Sequence, residues 1–512
     1  MRGTLALVLH AHLPYVRHPE HKHSLEESWL YQAVAGCYLP LLDLLGRLVD
    51  EEVPVRITLS LSPTLVAMLC DPLLVARCGA YLVELCELGD REVRRTAKEA
   101  ALLPLAHLHR RRFRAARAQF EALNGDLIGG FRALVQAGAI ELITTSATHA
   151  YLPILSPPEA VRAQVAVGLA AHHGAFGAVA TGFWLPECGY TPGLESLLSE
   201  QGIRYSFLEG CGIARASPAP RFGGAAPLLT QAGVAFFGRD AEASAEVWDA
   251  ERGFPGHPVY LDFYRDIGFD LPAAAIGEAL RPAGAPGFTG FKYYRVTGVP
   301  QKKIYDPVIA KYQVEAHARE FLARRVEQCQ ALTTATSQAP VITVPFDAEL
   351  FGHWWFEGPQ FLEALLRLAA GSCAVALRTP GDVLRDSPIL EVGSPVTSSW
   401  GRGGFGQTWL NPETDEMVGA VTTAGENFVT ALAVGSVGGR ALRQAARELL
   451  LAQASDWPFI VTAGTFADYA RARVADHLAA LDALLAGADS SLSLEREQRY
   501  PIFPVLDLNA FR

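Results

Sequence analysis

Four apolar runs along the chain each lead into residues able to do chemistry. LALVL runs into His10 and His12, ELITTSAT into His149, GFWLP into Glu187, and VITVPF into Asp347 and Glu349. In a parallel β/α barrel the C-terminal ends of the strands converge on one mouth, and catalytic groups sit there. Glu187 and Asp347 come from distant runs, yet both stand among aromatics. Trp184 and Tyr190 flank the first; Phe346, Phe351, Trp354 and Trp355 flank the second. Two carboxyls in an aromatic cleft suit glycosidic chemistry. One attacks the sugar or screens its developing positive charge, and the other, held protonated, donates to the leaving oxygen. Flat apolar rings offer platforms for sugar faces. The competing reading makes the two acids strand-end partners of structural salt bridges, and the residues alone leave both open.

The tryptophans stand at 29, 184, 248, 354, 355, 400, 409 and 457. Most lie in or beside stretches that read as loop or strand end. Trp400 and Trp409 fall in the Gly-rich SSWGRGGFGQTW, where local sequence offers little to bury them. They read as sugar platforms or as plugs of a domain interface. His10-Ala11-His12 after a first strand also resembles the metal-binding start of zinc-dependent amidohydrolases, a site that His149, Asp347 and His353 would complete. The alternative role for these histidines is hydrogen bonding to sugar hydroxyls and tuning of the nearby carboxylate. A basic run, Arg110, Arg111, Arg112, Arg114 and Arg117 preceded by His107 and His109, reads as a solvated helix face rather than an anion patch.

The elements that must position these groups follow from pattern. With 512 residues, 50% hydrophobic and 19% charged, the chain is globular. Its net charge of −10 gives no bulk attraction for nucleic acid or anionic lipid. No apolar run reaches ~18 residues, so no membrane span is expected. LALVL is too short for a signal peptide. Eight scattered cysteines without a CxxC pair read as free, buried thiols in a reducing cytoplasm. Strands are expected at Leu5–Leu9, Val55–Leu61, Ala139–Thr144, Gly182–Leu185, Arg204–Leu208, Val259–Phe263, Val341–Phe346 and Cys373–Leu377. Amphipathic stretches such as Leu25–Val49 and Pro158–His173 lie between them, which argues a parallel sheet, open or closed into a barrel, and the count of seven or eight strands leans toward a barrel. A helical insertion is expected at about 73–138 and a long loop at about 210–238. The barrel domain then covers 1–395, and a helical C-terminal domain covers 396–512, with helices at Thr414–Leu451 and Asp456–Ala486.

The segments HAHLPY (His10–Tyr15), THAYLP (Thr148–Pro153), WLPECGY (Trp184–Tyr190), FDAELFGHWWFEGP (Phe346–Pro359) and SSWG…W (Ser398–Trp409) resemble, in order, the five sequence regions of glycoside hydrolase family 57. Gly238–Trp248, Tyr260–Asp270 and Ser455–Arg473 are similar to that family's branching-enzyme group. The resemblance implies an incomplete (β/α)7 barrel with a helical insertion and a C-terminal helical domain closing over the cleft. It implies an α-1,4-glucan substrate such as amylose, glycogen or starch, and no metal or other cofactor. By the same resemblance Glu187 is the nucleophile and Asp347 the general acid/base. His10, His12 and His149 line a sugar subsite, and Trp400 and Trp409 are aromatic platforms. Trp29, Trp184, Arg265, Phe269, Trp354 and Asp468 complete the implied substrate contacts.

The sequence departs from that pattern in two places. The branching group carries a mobile loop with a tyrosine tied to transfer, and no tyrosine occurs here between Tyr205 and Tyr260. Phe222 or Phe236 would have to serve as the aromatic lid. Phe269 stands where similar enzymes have a tryptophan. The expectation is branching accompanied by substantial hydrolysis, with α-amylase or 4-α-glucanotransferase action as the alternative. A metal-dependent hydrolase and a catalytically silent glucan-binding protein are more distant readings.

Overall fold

In the computed structural model, which describes residues 2–249, 252–299, 301–336, 339–386, 390–435, 437–487 and 490–512, seven parallel strands close into a barrel. They are β1 (Gly3–Ala11), β2 (Ile57–Leu61), β3 (Ile140–Thr145), β4 (Gly182–Trp184), β5 (Tyr205–Glu209), β7 (Ala235–Arg239) and β8 (Val341–Asp347), with β6 (Leu228–Leu229) lying between the fifth and sixth of them in sequence. The pairing runs β7-β5-β4-β3-β2-β1-β8, and Arg239 opposite Thr343 closes the ring between β7 and β8. Two short strands, β9 (Val375–Leu377) and β10 (Glu391–Val392), stay outside it. β9 pairs with Gly3–Leu5 of β1, below the Val8–Ala11 stretch that pairs with β2. β10 and β6 form a side ribbon on β7.

The alternation along β1 decides which side chains reach the mouth. Leu5, Leu7 and Leu9 face outward into the core shared with the helices. Ala6 and Val8 face the barrel interior with Ile143, Trp184, Phe207 and Phe237. His10 is in phase with Ala6 and Val8, so the period of two carries it inward at the strand's C-terminal end. Register then sets its neighbours, since His10 lies opposite Ser60 on one side and Asp347 on the other.

The insertion forms three helices, Pro72–Arg95, Leu103–Ala122 and Leu127–Gln136. The basic run on the second is divided. Arg114 and Arg117 are solvated and paired with Asp90 and Glu121. His109 is fully buried, and Arg112 turns inward onto backbone carbonyls.

Several expectations need correction. Val259–Phe263 is no strand; it holds one isolated bridge, Leu261 to Arg295. The barrel strand is Ala235–Arg239, inside the stretch read as loop. The preceding Gly/Pro-rich sequence masked it, and strand propensity at 259–263 was overridden by irregular packing. The rest of 210–238 is also structured, with a short helix at Gly210–Ala214, a 3-10 turn at Gly223–Ala225 and β6. Phe236 is fully buried within β7, so it is a core residue and no lid. The two long C-terminal helices are each broken, at Gly435 and at Gly464. Both glycines take a positive φ, 69° and 78°, which ends the helix. Cys70 and Cys373 are exposed, although all eight cysteines are free. By length and composition, Glu27–Asp50 and Asp415–Val434 are each long and apolar enough to cross a bilayer. Single polar residues within them hid this from a search for unbroken runs.

Among the described residues five α-helices follow the last strand: Asp415–Val434, Gly439–Ala452, Asp456–Ala463, Ala467–Leu485 and Ser490–Arg499. A buried ionic cluster ties three of them. Glu448, fully buried, accepts from Arg496 at 2.9 and 2.6 Å and from His477 Nδ1 at 2.6 Å. Burial by itself would raise the Glu448 carboxyl; Arg496 and His477 outweigh it and hold it at about 2. A depressed carboxyl stabilises the fold above its ordinary value of 4.5 and loses that contribution as pH falls toward about 2. Glu448→Leu leaves the buried His477 without its acceptor and Arg496 with Asp476 alone, and we expect a loss of up to roughly 3–5 kcal/mol, read as a lower denaturation midpoint. The wild-type chain should lose stability between pH ~4.5 and ~2 more steeply than the variant.

Candidate active site

Glu187 follows β4 on a tight 3-10 turn, Pro186–Cys188. Its backbone is in the left-handed region, φ 63° and ψ 20°, as are Cys188 at φ 50° and His149 at φ 54°. Three non-glycine residues in that region at one mouth mark a place where strain is held by the surrounding structure. The turn is sewn to the later chain by Trp400 N donating to Glu187 O at 2.9 Å and Tyr190 N donating to Ser398 O at 2.8 Å.

Both oxygens of Glu187 have donors. Trp400 Nε1 donates to Oε2 at 2.6 Å, and Ser455 Oγ donates to Oε1 at 3.0 Å. His149 Nδ1 stands 3.7 Å from Oε1. Asp347 is the last residue of β8. It accepts no hydrogen bond from the described residues and is influenced instead by the charges of His12 and Arg239. Burial pushes both carboxyls up, Glu187 to about 8 and Asp347 to about 6, and the charge of Asp347 adds to the push on Glu187. Two buried carboxyls, one acting on the other through its charge, hold about one proton between them near neutrality. Against that burial, two donors aimed at one carboxyl stabilise its anion specifically, which favours Glu187 as the ionised partner and Asp347 as the holder of the proton.

The three histidines form a stack. His12 and His149 are 3.9 Å apart between ring centroids, His10 and His149 4.8 Å, and His10 lies 4.8 Å from the face of Trp184. His10 bonds Ser60 Oγ at 3.1 Å and His149 Nε2 at 2.9 Å. His149 Nδ1 meets Ser455 Oγ at 2.9 Å. His12 lies between Ser62 Oγ at 2.9 Å and the Asp456 carboxylate at 3.1 Å. Burial first, then the neighbouring imidazoles, holds His10 and His149 well below the ordinary histidine value, so both are neutral. Stacked rings with every nitrogen engaged cannot aim lone pairs at one cation, and His353 lies apart, packed near Phe263 and Trp354. The geometry therefore does not assemble the metal site that His10, His12, His149, Asp347 and His353 suggested.

The structure thus brings together His10, His12, His149, Trp184, Glu187, Asp347 and Trp400. Trp184 is fully buried, a floor under the histidines and not an open platform. Trp409 is 2% exposed and stacks on Tyr151 at 4.8 Å, so its ring is packed away where a platform was expected. Trp354 is exposed and lies edge-on to Trp248. Trp29 packs against Phe466 and Tyr469, beside the exposed Asp468. Arg265 pairs with Asp270 at 3.1 Å, and the exposed Phe269 rests on Phe288. Among the described residues, none of Trp29, Arg265, Phe269, Trp354, Trp409 and Asp468 hydrogen-bonds to the two carboxyls.

Sequence reasoning missed Ser455, Asp456 and Glu349 as site residues. Ser-Asp before a helix reads as a cap signal. Here Ser455 makes no side-chain cap and spends its hydroxyl on Glu187 and His149. Glu349 was visible as a strand-end acid. Its Oε1 accepts from Tyr38 Oη at 2.5 Å and from His12 N at 3.2 Å, which fixes the start of the His12 segment.

Comparison with known proteins agrees with this arrangement. The Glycosyl hydrolase family 57 profile matches residues 6–248, and the profile of the 1,4-α-glucan branching enzyme C-terminal region matches residues 415–511. The 1,4-α-glucan branching enzyme of Thermococcus kodakarensis is 32% identical over 515 residues, covering 93% of this chain and 72% of its own. A probable 1,4-α-glucan branching enzyme of Mycobacterium tuberculosis is 33% identical over 508 residues, covering 93% and 90%. Among solved structures, the α-amylase AmyC from Thermotoga maritima superposes with a TM-score of 0.92 at 35% identity, covering 100% of this chain and 99% of that one. With its barrel, its helical C-terminal region and these relatives together, the chain belongs to glycoside hydrolase family 57, in the branching-enzyme group.

Proposed function

We propose that the protein cleaves α-1,4-glucans with retention of anomeric configuration and passes the cleaved segment to a sugar C6 hydroxyl, with hydrolysis as a substantial side reaction. The observation that carries this reading is the asymmetry of the carboxyl pair. Glu187 has two anion-stabilising donors and Asp347 has none. An ionised carboxylate beside a protonated one is what double displacement needs. Glu187 attacks the anomeric carbon while Asp347 protonates the departing glycosidic oxygen, and a glycosyl ester forms on Glu187. Asp347, now ionised, removes a proton from the incoming hydroxyl, which displaces Glu187. A C6 hydroxyl yields a branch; water yields a shorter chain. His10, His12 and His149, their ring nitrogens bonded to protein groups, form a stacked wall beside the carboxyls against which a sugar can lie, and Trp400 orients the nucleophile through its N–H while offering its ring.

The stretch expected to act as a lid supports the hydrolytic share. Residues 210–234 carry no tyrosine and fold back onto the segment that begins at β10. Ser217 bridges Ser394, β6 pairs with β10, and Arg221 pairs with Glu391 at 2.7 Å. A segment held on that edge does little to exclude water from the mouth. The relatives include both branching enzymes and an α-amylase, so both outcomes occur on this fold.

Roles are tested by leaving group. Asp347→Asn should lose about 10²–10⁴ in rate on amylose and recover most of it on an α-maltosyl fluoride, whose departure needs no proton. Glu187→Gln should be inactive on both. Recovery by the Glu187 variant instead would exchange the two roles. The pH profile of kcat/KM should be a bell with limbs near about 6 and about 8 that belong to the pair. Below the lower limb both acids are protonated and no nucleophile exists; above the upper limb neither can donate. With amylose as sole substrate, new reducing ends should rival or exceed chain ends released by a debranching enzyme. A branch yield far above the reducing-end yield would remove hydrolysis from the proposal.

A further inference from the structure

A second cavity lies where the insertion meets the barrel mouth. It is bounded by the helix Leu103–Ala122, the π-helical turn Val34–Tyr38, the 288–292 stretch and the segment 352–356, and it shares no lining residue with the carboxyl pair or the stacked histidines. Arg112, Lys292 and His353 line it, with the rings of Phe263 and Phe288, and no carboxylate does.

Both cations are poorly compensated. Lys292 is 7% exposed, and its ammonium lies 4.2 Å from the centroid of Phe263 and 5.4 Å from that of Phe288. Among the described residues Nζ has no hydrogen-bond or ion-pair partner. Arg112 donates to the carbonyls of Gly352 at 3.0 Å and Gly36 at 3.5 Å, which are neutral acceptors. Three acids act on Lys292 from beyond ion-pair distance, and each is engaged elsewhere. Asp266 accepts from Gly268 N, Thr289 N, Thr289 Oγ1 and Gly290 N. Asp262 is paired with Lys302, and burial pushes the Glu357 carboxyl up to about 7. Burial also pushes the Lys292 ammonium down to about 8. Ring faces offset only part of the cost of burying an ammonium. His353 is neutral, because burial and then the two cations push it to about 3, so it brings one N–H donor.

We infer that the Arg112–Lys292–His353 cavity binds a small oxyanion, a phosphate group either free or carried on a sugar. The cavity, about 40 Å³, takes roughly three waters, comparable with one tetrahedral oxyanion. The cavity has no room for a sugar ring, so the sugar of a sugar phosphate would lie outside it, beside Phe263 and Phe288. The site is coupled to the catalytic strand end by a short chain of bonds. Gly352 and His353 belong to the segment that follows Asp347, Trp354 N donates to Glu349 O at 3.1 Å, and Glu349 Oε1 accepts from His12 N. Gly352 has φ 101°, and a Cβ there would stand 2.2 Å from Gly36 O, so this close approach holds the segment against the turn under Arg112. An anion joining Arg112, Lys292 and His353 would brace the segment that leads from Asp347, which makes the site an effector site.

The test is titration of the full-length protein with inorganic phosphate and, separately, glucose 6-phosphate. Calorimetry and the thermal midpoint are the readouts, with chloride at matched ionic strength as reference. Wild-type protein should show saturable binding and a rising midpoint. Lys292→Met should weaken binding by about 10–100-fold, while Lys292→Arg, which keeps the charge, should retain it. Binding of glucose 6-phosphate about tenfold tighter than phosphate assigns a sugar phosphate; equal affinity assigns the phosphate group alone. No saturable binding of either ligand overturns the inference, and so does a folded Lys292→Met variant that binds as well as wild type.

Discussion

A carboxylate that must stay ionised inside a barrel mouth needs donors that the barrel does not supply. Around Glu187 the barrel contributes, among the described residues, only His149 Nδ1, at 3.7 Å. The two close donors, Trp400 Nε1 and Ser455 Oγ, both come from the chain after the last strand. The rest of the architecture follows from that dependence. The Gly-rich segment must bring Trp400 over β4, and Ser455 must begin its helix against His149, where Ser455 N donates to His149 O and Ala150 bridges Ala454. The buried Glu448–Arg496–His477 cluster then holds the bundle that carries Ser455. The helical region is therefore part of the site and not an attachment to it. A barrel without it would leave Glu187 buried with no close donor, a state that favours the neutral acid.

The same anion orders the histidines. Ser455 has one hydroxyl proton. When it is given to ionised Glu187, its oxygen must accept from His149 Nδ1–H. His149 Nε2 is then an acceptor, so His10 Nε2 must be the donor, and His10 Nδ1 accepts a hydrogen bond from Ser60 Oγ. One charge thus sets the tautomers of a chain reaching from β4 to β2. His12 stands outside that chain. It answers to Asp456 and lies near Asp347, so the two acids of the pair are served by different histidines.

Much of this was legible before any coordinates, for reasons that differ by residue. His10, Glu187 and Asp347 stood at the ends of apolar runs, and in a parallel barrel a strand end is a position with chemical meaning. β7 was hidden because AFFGR follows a Gly/Pro-rich stretch that mimics loop, while VYLDF at 259–263 has a strand's composition without a strand's neighbours. Ser455 was hidden because a serine before a helix has an ordinary explanation, and only tertiary geometry shows that it does not cap. Trp409 misled in the other direction. A tryptophan among glycines looks exposed, yet Tyr151 from the barrel covers it. In each case the missing information was the partner, which sequence order does not carry.

Relatives named as branching enzymes and as an α-amylase share this fold at similar identity. In the proposed mechanism the carboxyl pair serves either outcome, because the glycosyl ester is the same whether a sugar or water resolves it. Selectivity must therefore be decided outside the pair, by how long water is excluded and how firmly an acceptor chain is held. Water needs no binding; a C6 hydroxyl competes only through the energy with which its chain is positioned for attack. In this chain the acceptor's candidate supports, the exposed Trp354 against Trp248 and Phe269 on Phe288, are surface aromatics that can hold a sugar face without closing over it. With residues 210–234 bound to the edge that begins at β10, positioning and exclusion are separated. An acceptor can be gripped while the mouth stays wet, and it is this separation that joins transfer to hydrolysis in the proposed activity.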